Sequence, residues 1–151
     1  MVGRKLKVIF ICSSNQARSQ MAEGLLRDIY GDKYEVFSAG VLPTFVAPEA
    51  ILALDEVGID ITHHTSQSID EYRDVEFDYV ITVCDRAKDN CPFFPGAKHY
   101  IHRSFREPSK AVEADEDLLD GYRRVRDDIA KWIEETFATP PEGDADLMVK
   151  L

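Results

Sequence analysis

One uninterrupted apolar segment near the start of the chain constrains the fold most strongly. Val8, Ile9, Phe10 and Ile11 follow one another without the polar alternation of a half-buried strand. Such a β-branched and aromatic run predicts a central parallel strand, over residues 5–11, that is covered on both faces. Parallel strands need crossover connections, so the rest of the chain has to alternate between strands and helices.

The remaining sequence alternates in this way. Apolar spacing predicts helices over 19–30, 48–57 and 115–137, and strands over 34–39, 77–83 and 99–101. The last helix carries its apolar face on Leu118, Tyr122, Val125, Ile129, Trp132 and Thr136. We therefore expect an α/β fold, a three-layer sandwich with a four-stranded parallel sheet and flavodoxin-like topology. It forms one domain over residues 1–138, followed by a flexible tail over 139–151.

Composition narrows the classes of partner and the compartment. Of 151 residues, 18 are Lys or Arg and 28 are Asp or Glu, which gives a net charge of −10. So acidic a surface repels nucleic acids and anionic membranes, and no apolar run approaches the roughly 20 residues that cross a bilayer. The chain opens without a secretory signal and has only three cysteines, so we expect reduced thiols and a cytoplasmic location. We also expect a monomer.

The segment from Cys12 to Ser19 joins the first predicted strand to the first predicted helix. In open α/β sheets, ligands bind at this edge, beyond the carboxyl ends of the strands. Backbone amides here can surround a tetrahedral anion beside a helix N-terminus, and the Arg18 guanidinium can hold two of its oxygens. The same positive field lowers the expected pKa of Cys12 from about 8.5 towards roughly 3.5–7.5, which makes its thiolate a nucleophile.

Cys12 and Arg18 are thus candidate catalytic residues. The candidate substrate-binding residues are Ser13, Ser14, Asn15, Gln16, Ala17, Arg18 and Ser19. The alternative interpretation is that Cys12 is a small buried apolar residue and Arg18 an exposed charge at a helix start.

These residues and several later ones resemble the low-molecular-weight tyrosine phosphatase superfamily and, within it, the thioredoxin-coupled arsenate reductases. The similarity runs from about Lys7 to Phe137. It is carried by residues 12–24, 37–40, 64–66, 83–84 and 91–92. The phosphatase-type loop is common to both branches, whereas the additional cysteines, Cys84 and Cys91, favour the reductases.

The resemblance implies a relay of three thiols. In it, Cys12 attacks arsenate, Cys84 attacks Cys12 and releases arsenite, and Cys91 takes over the disulfide, which thioredoxin reduces. A straight helix over 84–91 would hold the two Cα atoms about 10 Å apart, and a disulfide tolerates roughly 7 Å. We therefore expect the 84–91 segment to be mobile and to change conformation with its redox state.

Other roles for the two later thiols stay open at this point. Cys84 could be a core cysteine at a strand end, and Cys91 an idle loop thiol. A zinc site with His99 and His102 is a weaker alternative, because the two cysteines lack the usual short ligand spacing. We expect no metal site and no tightly bound cofactor.

Two positions depart from the pattern that the resemblance implies. The phosphatases carry an Asp-Pro whose Asp is the general acid, and this chain has Glu107-Pro108 instead. The reductases can hold potassium through an Asp and three further positions, which match Asn15, Ser38 and Thr65. At the position of the Asp, this chain has Gln67. We therefore expect Glu107 to be a candidate acid and potassium dependence to be weak. Asn15 and His64 are expected to orient the loop through hydrogen bonds.

Three hypotheses follow for the function. The first is an arsenate reductase that uses arsenate and thioredoxin, with glutaredoxin left open as the reductant. The second is a low-molecular-weight protein tyrosine phosphatase or phosphomonoester hydrolase that uses Cys12, Arg18 and Glu107. The third is a redox-sensing or anion-sensing module without turnover.

Overall fold

The structure, a computed structural model, describes residues 4–84 and 96–142. The strands are β1 (Leu6–Cys12), β2 (Tyr34–Gly40), β3 (Phe77–Thr82) and β4 (Ala97–His102). The helices are α1 (Arg18–Tyr30), α2 (Pro48–Asp55) and α3 (Leu118–Thr136), with short 3₁₀ helices at Ile69–Tyr72 and Pro108–Lys110. The sheet is parallel throughout, in the order β2-β1-β3-β4. The predicted α/β class with a four-stranded parallel sheet is confirmed.

Strand β1 lies between β2 and β3, and residues 8–11 are completely buried. Val8 and Phe10 pack on one face of the sheet in a core shared with α1, α2 and α3. Ile9 and Ile11 face the opposite side, where the described cover includes Ile69 of the first 3₁₀ helix. The apolar run is continuous because both faces of β1 are covered, as the sequence pattern predicted.

The register of the sheet brings the carboxyl ends of its strands to one edge. Cys12 pairs with Gly40, Ile11 pairs with Thr82, and Thr82 pairs with His102. The Val83 amide then donates a hydrogen bond of 3.0 Å to the Ile11 carbonyl, which holds the segment after β3 beside the end of β1. Side chains at the carboxyl ends of the strands therefore lie close together, at one edge of the sheet.

Helix α3 differs from its prediction at its start and on its buried face. It begins at Leu118 rather than near residue 115, because Asp117 and Asp120 exchange side-chain-to-amide hydrogen bonds in a capping box. Leu118 is 41% exposed, whereas Ile133, absent from the predicted face, is completely buried. The core face thus runs through residues 122, 125, 129 and 133.

The end of the described chain returns to the sheet. The Tyr34 hydroxyl donates a hydrogen bond of 3.0 Å to the Phe137 carbonyl, and the Tyr79 hydroxyl donates one of 2.6 Å to the Pro141 carbonyl. Residues 143–151 of the predicted tail lie outside the described residues. Within the described part of the chain, no helix combines the length and the apolar character needed to cross a membrane.

Candidate active site

The loop between β1 and α1 turns all of its carbonyl groups outward. The carbonyls of residues 13–17 accept hydrogen bonds of 2.9–3.2 Å from the Leu42 amide, the Ser66 hydroxyl, the Gln20 side-chain amide, the Ala47 amide and the Met21 amide, in that order. In a trans peptide the next N–H points opposite to the carbonyl. The amides of residues 14–18 are thereby directed to the inner side of the loop, as a cradle for an anion requires.

Asn15 fixes the shape of this loop. It is completely buried and has a left-handed backbone with φ of 50°, which asparagine tolerates better than most residues. Its Nδ2 donates hydrogen bonds of 2.9 Å to the hydroxyls of Ser19 and Ser38, and its Oδ1 accepts from the Gln67 amide at 2.8 Å. Its side chain is therefore occupied in holding the loop, and only its backbone can serve an anion.

A second set of side chains supports Asn15 from behind. The Gln20 side-chain amide donates to both oxygens of Asn15, at 3.1 and 3.2 Å, and its Oε1 faces His64 Nδ1 at 2.9 Å. His64 Nε2 lies 2.9 Å from Arg27 Nη1, a group that can only donate. The network thus assigns the histidine proton to Nδ1. Burial lowers the pKa of His64, against the opposing charge of Glu23, so the neutral ring suits this network.

Gly40, at the end of β2, allows the loop to lie against the sheet. A β-carbon on this residue would lie 2.7 Å from the Asn15 nitrogen, 2.8 Å from the Ser13 oxygen and 2.9 Å from the Cys12 oxygen. All three are backbone atoms that cannot move without displacing the loop. The absence of a side chain at this position is therefore a requirement of the site.

Cys12 is 3% exposed at the end of β1 and carries a thiol. Arg18, the first residue of α1, is 7% exposed, and its Nη1 donates a hydrogen bond of 3.1 Å to the Phe105 carbonyl. This bond connects the loop between β1 and α1 (residues 13–17), hereafter the anion loop, to the segment that carries Glu107. Two parts of the chain almost ninety residues apart are thereby joined through the candidate anion-binding arginine.

A cleft of about 150 Å³ opens over Cys12. Its walls are formed by Cys12, Ser14, Gln16, Ala17, Arg18, Glu107, Pro108, Ser109, Leu118 and Tyr122. Glu107, which is half-exposed, lies 3.8 Å from Lys110 Nζ. The candidate nucleophile, cation and acid therefore share one opening. Of the other predicted loop residues, Ser13 and Ser19 do not line this cleft, and Asn15 lies behind it.

Cys84 follows β3 at the same edge of the sheet and is completely buried. It takes part in a disulfide, whereas Cys12 does not. The predicted relay partner Cys91, and the prediction of a mobile segment over 84–91, fall on residues outside the described part of the chain beyond Cys84.

The positions considered for potassium are engaged with one another. Asn15 Oδ1 already accepts two hydrogen bonds, and the Gln67 side chain accepts one from the Tyr72 hydroxyl. The Ser38 hydroxyl donates to Glu23 at 2.6 Å, and Glu23 forms an ion pair of 2.5 Å with Arg27. These residues fit a potassium ion poorly, because Arg27 already compensates the only carboxylate of the group. Within residues 4–84 and 96–142, no cluster of three His, Cys, Asp or Glu residues could hold a metal ion.

Sequence reasoning missed Glu23, Arg27 and Gln20 as supports of the loop. A signal for the first two was present, because Glu23 and Arg27 are four residues apart on one helix and such pairs meet on its surface. The role of Gly40 had no comparable signal, since it depends on how closely the loop approaches the end of β2.

Comparisons with known proteins agree with this architecture. The family model described as low molecular weight phosphotyrosine protein phosphatase matches residues 7–139. The chain is 43% identical over 134 residues to an arsenate reductase of Halalkalibacterium halodurans, covering 89% of this chain and 96% of the relative. It is 44% identical over 135 residues to arsenate reductase 1 of Staphylococcus epidermidis, covering 89% and 97%.

Solved structures give the same grouping. A structure described as an arsenate reductase in the phosphate binding state matches with a TM-score of 0.73 and 31% identity, over 86% of this chain and 95% of that one. A thioredoxin-dependent arsenate reductase of Corynebacterium glutamicum matches with a TM-score of 0.60 and 27% identity, over 89% and 63%. The chain therefore belongs to the low molecular weight phosphotyrosine protein phosphatase family and, within it, groups with the arsenate reductases.

Proposed function

We propose that this protein reduces arsenate to arsenite through Cys12, Cys84 and Cys91, and that thioredoxin then reduces the disulfide that the reaction leaves. The observation that carries the proposal is the convergence of Cys12 and Cys84 on one edge of the sheet, where the Val83–Ile11 hydrogen bond holds the ends of β3 and β1 together. A phosphatase of this family needs only the first thiol. A reductase has to take two electrons from its own sulfurs, and it therefore needs a second thiol near the first.

The reaction begins in the cleft over Cys12. The thiolate attacks the arsenic atom, an S–As bond forms, and an As–O bond breaks as the leaving oxygen takes a proton from Glu107 and departs as water. The inward amides of residues 14–18 and the Arg18 guanidinium stabilise the negative charge on the remaining oxygens. Arsenic is still pentavalent after this step, because only ligands have been exchanged.

Reduction follows when the Cys84 thiolate attacks the Cys12 sulfur. The S–S bond forms, the electron pair of the S–As bond passes to arsenic, and arsenite leaves as the trivalent product. Cys91 then attacks Cys84 and frees the Cys12 thiolate for another cycle. The dithiol of thioredoxin reduces the resulting Cys84–Cys91 disulfide, so one arsenate consumes two electrons and yields one arsenite and one water.

One observation supports the later part of this sequence. A similar structure is described as a thioredoxin-dependent arsenate reductase. Cys84 is completely buried, so the proposal also requires the segment after it to move before thioredoxin can reach the bond.

A second candidate function is phosphate monoester hydrolysis. The observation that favours it is the position of Glu107 in the same cleft as Cys12 and Arg18, where it can protonate a leaving alcohol. This chemistry needs neither Cys84 nor Cys91. The two activities therefore differ in a single testable requirement.

The test is a coupled assay of arsenite release with thioredoxin, thioredoxin reductase and NADPH, run beside hydrolysis of p-nitrophenyl phosphate. Cys84→Ser is expected to abolish arsenate turnover and to leave any hydrolysis of the ester intact. Val83→Ala, which truncates an equally buried side chain one residue earlier, controls for loss of packing. Arsenite release that persists in Cys84→Ser would overturn the relay, and replacement of thioredoxin by glutaredoxin tests the identity of the reductant.

A further inference from the structure

Tyr122 stands out among the residues that line the cleft over Cys12. It is the fifth residue of α3, at the start of the second turn, on the face that continues into the core through Val125 and Ile129. Only 8% of its surface is exposed, and it lines the same opening as Cys12, Arg18 and Glu107. Its ring therefore packs as a core residue, whereas its exposed part lies at the candidate active site.

The hydroxyl of Tyr122 has no hydrogen-bond partner within the described residues. Other buried tyrosines use theirs: Tyr34 donates to the Phe137 carbonyl, and Tyr79 donates to the Pro141 carbonyl. In the described part of the chain, no fully buried side-chain oxygen or nitrogen lacks a partner. The Tyr122 oxygen must therefore reach solvent, and the cleft is where this residue meets solvent.

The charges around the cleft keep this hydroxyl protonated. Burial raises the pKa of Tyr122 above the ordinary value of 10, and the carboxylates of Glu49 and Glu107 raise it further, against the opposing charge of Arg18. A tyrosine in this state is a hydrogen-bond donor throughout the physiological range of pH. A donor without an acceptor among the described residues, in the cleft that holds Cys12 and Arg18, is available for an anion's oxygen.

We propose that Tyr122 is a substrate-binding residue whose hydroxyl donates a hydrogen bond to the oxygen of the bound oxyanion that points away from Cys12. The inference rests on the proposed function, because it takes Cys12 as the nucleophile. Attack by sulfur places the departing oxygen on the opposite side of the central atom, towards the outer part of the cleft. There Glu107 supplies the proton and Tyr122 stabilises the developing charge without losing its own proton.

The decisive variant is Tyr122→Phe, which removes the hydroxyl and keeps the packed ring. We expect inorganic phosphate, titrated calorimetrically into the reduced protein, to bind about tenfold more weakly, and kcat/KM for arsenate to fall about tenfold, as for loss of one hydrogen bond to a charged group. Thermal unfolding should be unchanged, because no bond within the described protein is lost. Tyr34→Phe is the matched control: it loses a bond to a carbonyl and should unfold earlier with unchanged phosphate affinity.

Unchanged phosphate affinity and unchanged kcat/KM in Tyr122→Phe would overturn the role of Tyr122. If the wild-type protein lacks arsenate turnover and Tyr122→Phe still weakens phosphate binding, the proposed reductase function fails and the binding role stands. If the wild-type protein turns over arsenate and the variant behaves identically, only the role of Tyr122 fails. A wild-type protein that binds no phosphate and reduces no arsenate would count against both.

Discussion

Gly40 and Asn15 approach so closely that a single methyl group on Gly40 would lie 2.7 Å from the Asn15 nitrogen. Real β-carbons do not approach backbone atoms this closely, so one of the two segments would have to move. Gly40 ends β2 inside the sheet, and Asn15 holds the loop in a left-handed conformation. The shape of the anion loop is therefore set by the neighbouring strand as well as by its own residues.

The substitution Gly40→Ala tests this relationship. Overpacking against backbone should lower the free energy of unfolding by about 1–3 kcal/mol, and displacement of the loop should abolish measurable phosphate binding. Gly58→Ala is the control: its β-carbon meets no atom within 4 Å, but its φ of 82° strains any side chain. That variant should lose about 1–2 kcal/mol of stability and bind phosphate normally. Normal phosphate binding in Gly40→Ala would contradict the prediction.

The buried His64 ring should make the fold sensitive to mild acid. Burial lowers its pKa below the ordinary value of 6.5 in the folded state, so the unfolded chain binds its proton first as the pH falls. Stability should therefore decline as the pH drops below about 6.5 and down to the lowered folded-state pKa. Protonation would also place a donor at Nε2, opposite the Arg27 guanidinium.

Chemical denaturation between pH 7 and pH 5 measures this effect. His64→Gln should flatten the decline in the free energy of unfolding over that interval. His63→Gln, a substitution at the exposed neighbouring residue, should leave the decline in place. Equal slopes in the wild-type protein and His64→Gln would show that His64 is not the group responsible.

The pairing of Glu23 with Arg27 predicts an enzyme that does not need potassium. The Glu23 carboxylate could attract a cation, but the Arg27 guanidinium already lies 2.5 Å from it and neutralises its charge. Turnover of arsenate should accordingly be the same in potassium chloride and in choline chloride at equal ionic strength. Arg27→Met, which removes the resident charge, should create activation by potassium. Strong activation of the wild-type protein by potassium alone would refute the prediction.

A second pH effect should arise far from the cleft, where Glu56 joins α2 to α3. Hydrogen bonds from Arg123, together with Arg126, lower the pKa of Glu56 from 4.5 to about 2. A carboxyl whose pKa is lowered by folding contributes stability above its unfolded pKa and loses it as the pH falls towards the folded value. Stability should thus decrease between about pH 5 and pH 2.

Glu56→Gln isolates this contribution. The variant should be less stable than the wild-type protein at pH 7, and the difference should shrink as the pH is lowered to 2. Asp55→Asn, a substitution at the exposed preceding residue, is the matched control and should leave the wild-type curve unchanged. A constant difference between Glu56→Gln and the wild-type protein at every pH would exclude the titration of Glu56 as its cause.

The central strand and the loop after it were predictable because their signals are local. An apolar run over 8–11 needs cover on both faces, and Cys12 and Arg18 flank a turn at the edge where ligands bind. The buried face of α3 was harder to predict from the sequence. Ile133 lies 400° around the helix from Ile129, which is 40° past a full turn. Trp132 lies 60° short of a full turn. The Ile133 side chain therefore points closer to the direction of Ile129, and Ile133 rather than Trp132 faces the core. Trp132 instead packs at the core edge against Phe105 and Phe137.

The supporting shell of the site depends on contacts that no local pattern records. Tyr122 was predicted as part of an apolar helix face, and its ring does pack in the core. That Tyr122 lines the cleft follows only from how α3 lies beside the segment carrying Glu107. The contact of Glu23 with Ser38 likewise joins a helix to a strand, across fifteen residues. Such pairs become visible only when the chain is folded.

The hydrogen bond from Arg18 to the Phe105 carbonyl also bears on the entropy of binding. An arginine side chain loses up to about 2 kcal/mol of rotamer freedom when it is fixed. Here much of that loss occurs during folding, because the guanidinium is already held at one nitrogen. Under the proposed function, an arriving oxyanion meets an ordered cation and retains more of its interaction energy as affinity. In that function, the hydrogen bond to the Phe105 carbonyl helps a small, acidic protein to bind a small, highly hydrated anion.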